Sequence, residues 1–119
     1  MKRIWLLAVI AVLLNACSFQ PPKEGEPVGP AEILLAQAQE KQAAGESEQA
    51  LALVERALRL EPRKAEGWLA LARLHYEGGD LRRAKQFARR ALQFAGADKR
   101  LVRESRSLLE RIRAEQGPG

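Results

Sequence analysis

The hydrophobic and polar positions of the chain divide it into three zones. Residues 4–14 are an unbroken run of 11 apolar residues, and residues 18–30 hold four of the chain's six prolines. Beyond Pro30, apolar residues recur with helical spacing among alanine, leucine, glutamate, arginine and glutamine, which are all good helix formers. The pattern predicts an all-α domain with helices at residues 31–44, 48–60, 65–77, 81–95 and 98–115.

The helical zone repeats itself at an interval of 34 residues. The matching positions include two glycines and four alanines: Gly45 and Gly79, Ala50 and Ala84, and Ala57 and Ala91. The two alanines within each helix are seven residues apart, so they share a face on which a neighbouring helix can approach closely. The glycines suit the left-handed residue that ends a helix, and Asp80 stands where the next helix needs an N-cap.

This spacing resembles the tetratricopeptide repeat. The second copy carries Trp68, Leu71 and Ala72 in its first helix, followed by the Gly79 turn and the small residues of its second helix. The resemblance implies two helical hairpins, at residues 31–64 and 65–98, and a capping helix at 99–116, which together form a short α-solenoid. The expected core is mostly aliphatic: Ile33, Leu34, Leu51, Val54, Leu58, Trp68, Leu71, Leu74, Phe87, Leu92, Leu109 and Ile112.

The amino-terminal zone indicates export. Two cations, Lys2 and Arg3, precede the apolar run, which is shorter than the roughly 20 residues that a membrane-spanning helix needs. The segment Leu14-Asn15-Ala16-Cys17 resembles the lipobox of bacterial lipoproteins, and it contains the only cysteine of the chain. The alternatives are an ordinary secretory signal that is cut after Ala16 and a buried apolar helix whose cysteine is incidental.

The lipobox resemblance implies how the protein is anchored. Residues 1–16 would be a cleaved signal peptide, and Cys17 would carry a diacylglycerol and an N-acyl chain in place of any cofactor. Ser18 follows the cysteine, which by the same resemblance implies the outer membrane and a periplasmic orientation. Residues 17–30 then form the lipidated cysteine and a disordered, proline-rich tether, which at about 3.1 Å per residue reaches at most about 40 Å.

Composition narrows the function classes. Without the signal peptide the chain keeps 18 basic and 15 acidic residues, and an exported, tethered protein has no nucleic-acid partner. One cysteine and one histidine exclude an intramolecular disulfide and a cysteine- or histidine-rich metal site. We expect His75 to pack rather than to act chemically, and no serine has a histidine in plausible reach. The sequence therefore predicts a protein that is not an enzyme.

The resemblance also implies a binding surface, because the family binds peptides on its concave face. The positions carried over are Glu32, Leu35, Gln39, Glu66, Leu69, Arg73, Tyr76, Arg100, Arg103 and Ser107. Three of them form an apolar strip (Leu35, Leu69 and Tyr76). Three others are arginines (Arg73, Arg100 and Arg103). Such a mixture suits a partner segment with apolar anchors and an acidic group.

These features predict an adaptor that binds envelope protein partners and acts in envelope assembly, with the regulation of peptidoglycan synthesis as one form. A pilotin-like assembly factor for a pilus or secretin is an alternative. A second alternative is a structural lipoprotein that binds the cell wall or a lipid surface, with peptidoglycan or anionic lipid as its ligand. It would use a basic convex face, whose plainer interpretation is a solvated surface: Arg82, Arg83, Lys85, Arg89 and Arg90.

Overall fold

The computed structural model describes residues 28–118, and over that range the chain is built from five α-helices without a strand. The helices are α1 (Pro30–Ala43), α2 (Ser47–Leu60), α3 (Ala65–Glu77), α4 (Leu81–Phe94) and α5 (Lys99–Gln116). Each begins and ends within one residue of its predicted position. The predicted signal peptide, Cys17 and most of the predicted tether lie outside the described residues.

The helices stack as two hairpins and a final helix. Contacts are most extensive between α1 and α2 and between α3 and α4. The stack is continued by packing of α2 on α3 and of α4 on α5, with smaller contacts from α1 to α3 and from α3 to α5. This order confirms the predicted all-α solenoid. None of the described helices combines the length and hydropathy needed to cross a membrane.

Two glycines make the tight turns within the hairpins. Gly45 and Gly79 have φ angles of 78° and 81°, a left-handed conformation that costs glycine little and other residues more. Asp80 then caps α4 as predicted, because its Oδ1 accepts a hydrogen bond of 3.1 Å from the backbone N–H of Arg83. Asp98 caps α5 in the same way through Leu101 N, also at 3.1 Å.

Small residues lie where the helices cross. The four repeat-related alanines are at most 1% exposed, which confirms their predicted role at the helix contacts. Leu34, Val54, Leu58, Leu71, Leu74 and Ile112 are buried as expected, whereas five predicted core residues are only partly buried: Leu51, Trp68, Phe87, Leu92 and Leu109. Ile33 was wrongly assigned to the core. Its side chain is 48% exposed, because α1 is the edge helix of the described stack.

The aromatic residues pack within the second hairpin and bond it to the loop that precedes it. Trp68 and Phe87 stack with ring centroids 5.9 Å apart, and the ring of His75 lies 5.2 Å from Phe87. The indole Nε1 of Trp68 donates a hydrogen bond of 2.8 Å to the carbonyl oxygen of Pro62 in the loop between α2 and α3. His75 is therefore a packing residue, as predicted.

An ion pair fastens the start of α1 to the loop between the hairpins. Glu32 accepts hydrogen bonds from the backbone N–H of Gly29 at 2.6 Å and from Lys64 Nζ at 2.9 Å. The Lys64 bond first, and the Gly29 bond next, hold the pKa of Glu32 below its ordinary value. Since Lys64 is the residue that precedes α3, Glu32 connects the first turn of the first hairpin to the beginning of the second.

Candidate protein-binding cleft

A cleft of about 500 Å³ lies between α3 and α5. Its lining consists of three residues of α3 and five of α5: Arg73, Tyr76, Glu77, Arg103, Glu104, Ser107, Leu108 and Arg111. These positions recur every three or four residues, so each helix presents one continuous face to the cleft. None of them belongs to α4, although α4 packs against both helices. The cleft therefore opens on the side of the α3–α5 pair that faces away from α4.

Glu104 organises the charges at this cleft. Its Oε2 accepts a hydrogen bond of 2.7 Å from Arg73 Nη2, and its Oε1 accepts one of 3.1 Å from Arg100 Nη1. Partial burial opposes ionisation of Glu104, but the two guanidinium groups outweigh it and lower its pKa. In turn the hydrogen bond to Glu104 raises the pKa of Arg100. Two of the three predicted partner-binding arginines are thus already paired within the domain.

Tyr76 is held in place at one end of the cleft. Its hydroxyl donates a hydrogen bond to Glu115, and this bond is the main cause that raises the pKa of the phenol above its ordinary value. The guanidinium carbon of Arg111 lies 5.4 Å from the centroid of the Tyr76 ring, in cation–π contact. The ring is therefore fixed between two side chains of α5, and its side chain remains partly exposed.

The uncompensated positive charge at the cleft comes from α5. Arg103 and Arg111 are exposed and form no ion pair with any residue from 28 to 118. Ser107 lies exposed between them. The lining thus combines three arginines with two glutamates, which leaves it less positive than three free guanidinium groups would be.

Comparison with known proteins identifies the family. The tetratricopeptide repeat family model matches residues 41–112, more than half of the chain. The chain belongs to the tetratricopeptide repeat family. A solved structure, the globular C-terminal domain of LpoP from P. aeruginosa, is similar at 33% identity and a TM-score of 0.74. The similarity covers 79% of this chain and 89% of that chain. No curated protein matches the chain.

Within the tetratricopeptide repeat stack, the cleft lies between the first helix of the second hairpin and the final helix. It brings together four of the residues predicted to bind a partner: Arg73, Tyr76, Arg103 and Ser107. Arg100 lies just outside the lining and reaches it through Glu104. Gln39 is exposed on α1 and takes no part in the lining.

The predicted apolar strip needs correction. Leu35 and Leu69 are only 8% and 2% exposed, and both belong to the hydrophobic core. Their side chains point between the helices, because a tetratricopeptide repeat stack of this size buries most of its leucines to form a core at all. We therefore exclude Leu35 and Leu69 from the binding surface, and Tyr76 alone remains of the strip.

Sequence reasoning missed Glu104, Arg111, Glu77 and Leu108. The pairing of Glu104 with Arg100 has a sequence signal, since the two residues are four apart on one helix. Its second bond, to Arg73, joins residues 31 positions apart. That bond depends on how closely α3 and α5 approach each other, and the sequence pattern does not contain this distance.

Proposed function

We propose that this protein is a lipid-anchored, non-enzymatic adaptor of the bacterial envelope, and that its α3–α5 cleft binds a segment of an envelope protein. Membership of the tetratricopeptide repeat family supports protein binding. Identity of 33% over most of the LpoP domain supports a role of the same kind for the two domains. The Leu14–Cys17 motif supports a lipid anchor on Cys17, and Ser18 after the cysteine supports the outer membrane, with the domain facing the periplasm.

The observation that carries the proposal is the placement of Arg103 and Arg111, which form no ion pair within residues 28–118, beside the Tyr76 ring that Arg111 contacts. The partly exposed Tyr76 ring offers an apolar contact, and Arg103 and Arg111 offer donors that bind a carboxylate in bidentate fashion. A partner segment with an apolar or aromatic anchor next to an acidic residue fits this arrangement. Aromatic and arginine contacts of this kind carry much of the binding free energy in protein interfaces.

Glu104 makes the cleft selective. Its carboxylate repels an acidic group that enters between Arg73 and Arg100, so the partner's acidic residue is directed to Arg103 and Arg111 instead. A partner with acidic residues at both places would leave two carboxylates in competition for the same guanidinium groups. Repulsion of this kind discriminates between partners as effectively as a new attractive contact does.

The proposed role is in envelope assembly, and its favoured form is the regulation of peptidoglycan synthesis. A tether of at most about 40 Å keeps the domain close to its membrane. The adaptor therefore acts on a partner that reaches towards the outer membrane, which suits an assembly that spans the space between the membranes.

The test is photo-crosslinking in intact cells, with a photoreactive amino acid introduced at Ser107 in the cleft. We expect a discrete crosslinked protein that is strongly reduced when Arg103→Glu and Arg111→Glu are combined, because both carboxylate-binding groups are then reversed. The identity of the crosslinked protein, read by mass spectrometry, would show whether it is an envelope protein.

The matched control places the same photoreactive residue at Gln93, which is exposed on α4 and away from the cleft. An adduct that forms equally well from Gln93, or that persists after both arginines are reversed, would contradict the assignment of the cleft. Circular dichroism of the reversed variant must match that of the native protein, so that loss of the adduct reflects lost binding.

A further inference from the structure

The outward side of α4 is a continuous positive surface. The helix carries five cations and no acidic residue, and we call these the α4 basic face: Arg82, Arg83, Lys85, Arg89 and Arg90. Arg82 and Arg89 are seven residues apart, so they lie on the same side of the helix, about 10 Å from each other. The opposite side is formed by alanines that are fully buried against the neighbouring helices: Ala84, Ala88 and Ala91.

The charges of this face are largely uncompensated. Arg83 approaches Asp80 at 3.5 Å, and Arg90 lies over the Trp68 ring at 4.8 Å. Arg82, Lys85 and Arg89 form no ion pair with any residue in the described range of 28–118. The cleft differs, because there Glu104 pairs with both Arg73 and Arg100. α5 also carries cations that form no ion pair within residues 28–118, but it has three glutamates along its length, whereas α4 has no acidic residue to offset its charge.

The α4 basic face and the cleft lie on opposite sides of the domain, so a partner can bind one without covering the other. The cleft is lined by α3 and α5 and opens away from α4. A flat partner on the α4 basic face would therefore leave the cleft uncovered and pointing in the opposite direction. A cationic surface on the outside of a helix suits a broad anionic surface better than a single extended segment, because its charges are spread along the helix.

We infer that the α4 basic face lies on the anionic lipid headgroups of the membrane that holds the lipidated Cys17, an inference that rests on the proposed anchor. The proposed tether keeps the start of α1 within about 40 Å of that surface, so the α4 basic face stays near it and the resulting high effective concentration lets weak contacts suffice. Each cation near an anionic surface strengthens binding about fivefold. Docking in this way turns the α3–α5 cleft away from the lipid and towards the periplasm.

The test of the face uses the chain from Ser18 onwards, which has no lipid anchor, and vesicles of phosphatidylcholine with or without phosphatidylglycerol. We expect binding only to the vesicles that contain phosphatidylglycerol, with affinity that falls steeply as salt is added. Arg82→Glu combined with Arg89→Glu should lower the affinity by at least about tenfold. The matched control, Arg106→Glu with Arg113→Glu, makes the same charge change on exposed residues of α5 and should lower it much less.

Equal loss in the two double variants would overturn the inference, since net charge rather than the α4 basic face would then explain binding. Binding to soluble polyglutamate but not to phosphatidylglycerol vesicles would also overturn it, in favour of an acidic protein partner. Neither result bears on the cleft, which the crosslinking at Ser107 tests separately.

The predicted orientation has its own measurement in the lipidated protein. A fluorophore attached at Gln93→Cys should be quenched by lipids that carry a headgroup quencher, whereas one attached at Ser107→Cys should stay bright. Both positions are exposed, so they report distance from the membrane. Equal quenching at the two positions, or stronger quenching at Ser107→Cys, would show that the domain does not dock through α4.

Discussion

At the scale of single residues, the Glu104 carboxylate pairs with two arginines of the domain and so reduces the positive charge that the cleft offers to a partner. It is bonded to a guanidinium group of its own helix and to one of α3. The pair with Arg100 lies on α5 and resembles any helix-surface pair, which contributes only a fraction of a kcal/mol. The pair with Arg73 joins two helices that otherwise share few contacts, so it determines which positive charges remain available to a partner.

The lowered pKa of Glu104 predicts how this arrangement depends on pH. A carboxylate whose pKa is lower in the folded than in the unfolded state stabilises the fold above the unfolded value. That contribution disappears as the pH falls from the ordinary value of 4.5 through the lowered pKa of the folded state. We expect native protein to be more stable than Glu104→Gln near neutral pH, with a difference that vanishes in acid, as measured by urea unfolding.

An NMR titration of the Glu104 carboxyl measures its pKa directly. Glu32 is the internal reference, because its pKa is also lowered, by partners that are far from Glu104. Its titration should be the same in native protein and in Glu104→Gln. Titration of Glu104 at or above 4.5 would mean that burial, not the two arginines, dominates its environment.

A second prediction at the residue scale concerns the buried hydroxyl of Ser105. Its side chain is fully buried on α5, and its hydroxyl has no hydrogen-bond partner among residues 28–118. An unsatisfied buried hydroxyl costs about 1–3 kcal/mol, and alanine is also the better helix former. We expect Ser105→Ala to raise the free energy of unfolding by about 1 kcal/mol or more, measured by denaturant titration. Ser107→Ala is the matched control, because it makes the same change at an exposed position of the same helix.

The control isolates the effect of burial, since both substitutions share the gain in helix propensity. If Ser105→Ala stabilises no more than Ser107→Ala does, the hydroxyl of Ser105 has a partner, most plainly the backbone carbonyl one turn earlier on α5.

At the scale of helices, much of the fold could be predicted from the sequence. The alanines that recur every seven residues and the glycines of the hairpin turns act locally, so their pattern placed every helix boundary within one residue. Which leucine faces the core and which faces a partner depends on the neighbouring helix. Leu35 and Leu69 were misplaced for that reason, as was Ile33, whose exposure depends on the edge position of α1.

Gly67 illustrates a contact between helices that the sequence pattern does not show. A Cβ atom at this position on α3 would lie 2.7 Å from Cδ2 and 3.1 Å from Cγ of Leu58 on α2. Gly67 lies in the first turn of α3, where alanine is still the better helix former, by up to about 1 kcal/mol. We expect Gly67→Ala instead to destabilise the domain by about 1–2 kcal/mol, because the substitution overpacks the contact between α2 and α3.

A double-mutant cycle tests this explanation. In a Leu58→Val background, which removes the nearest clashing atom, Gly67→Ala should cost much less or stabilise the domain. An equal cost in both backgrounds, measured by thermal or denaturant unfolding, would place the strain elsewhere than at Leu58.

At the scale of the whole molecule, the α4 face and the cleft differ in how their positive charges are compensated. Residues 17–119 have only a small excess of basic residues, but α4 carries five cations and no acidic residue. The cleft combines Arg73, which is paired with Glu104, with Arg103 and Arg111, which form no ion pair within residues 28–118. Counting charges along the sequence revealed the basic face of α4, because its residues are neighbours on one helix. It misjudged the cleft, because pairing there depends on side chains from two helices.

The bond between Glu32 and Lys64 has a mechanical consequence if the domain is held by the proposed lipid anchor. A pull on the anchor would reach the domain at Gly29, whose N–H is bonded to Glu32. From Glu32 the load would pass through Lys64 into the joint between the hairpins, so α1 would not peel away alone. Part of any tension on the proposed anchor would thus reach both hairpins and not α1 alone.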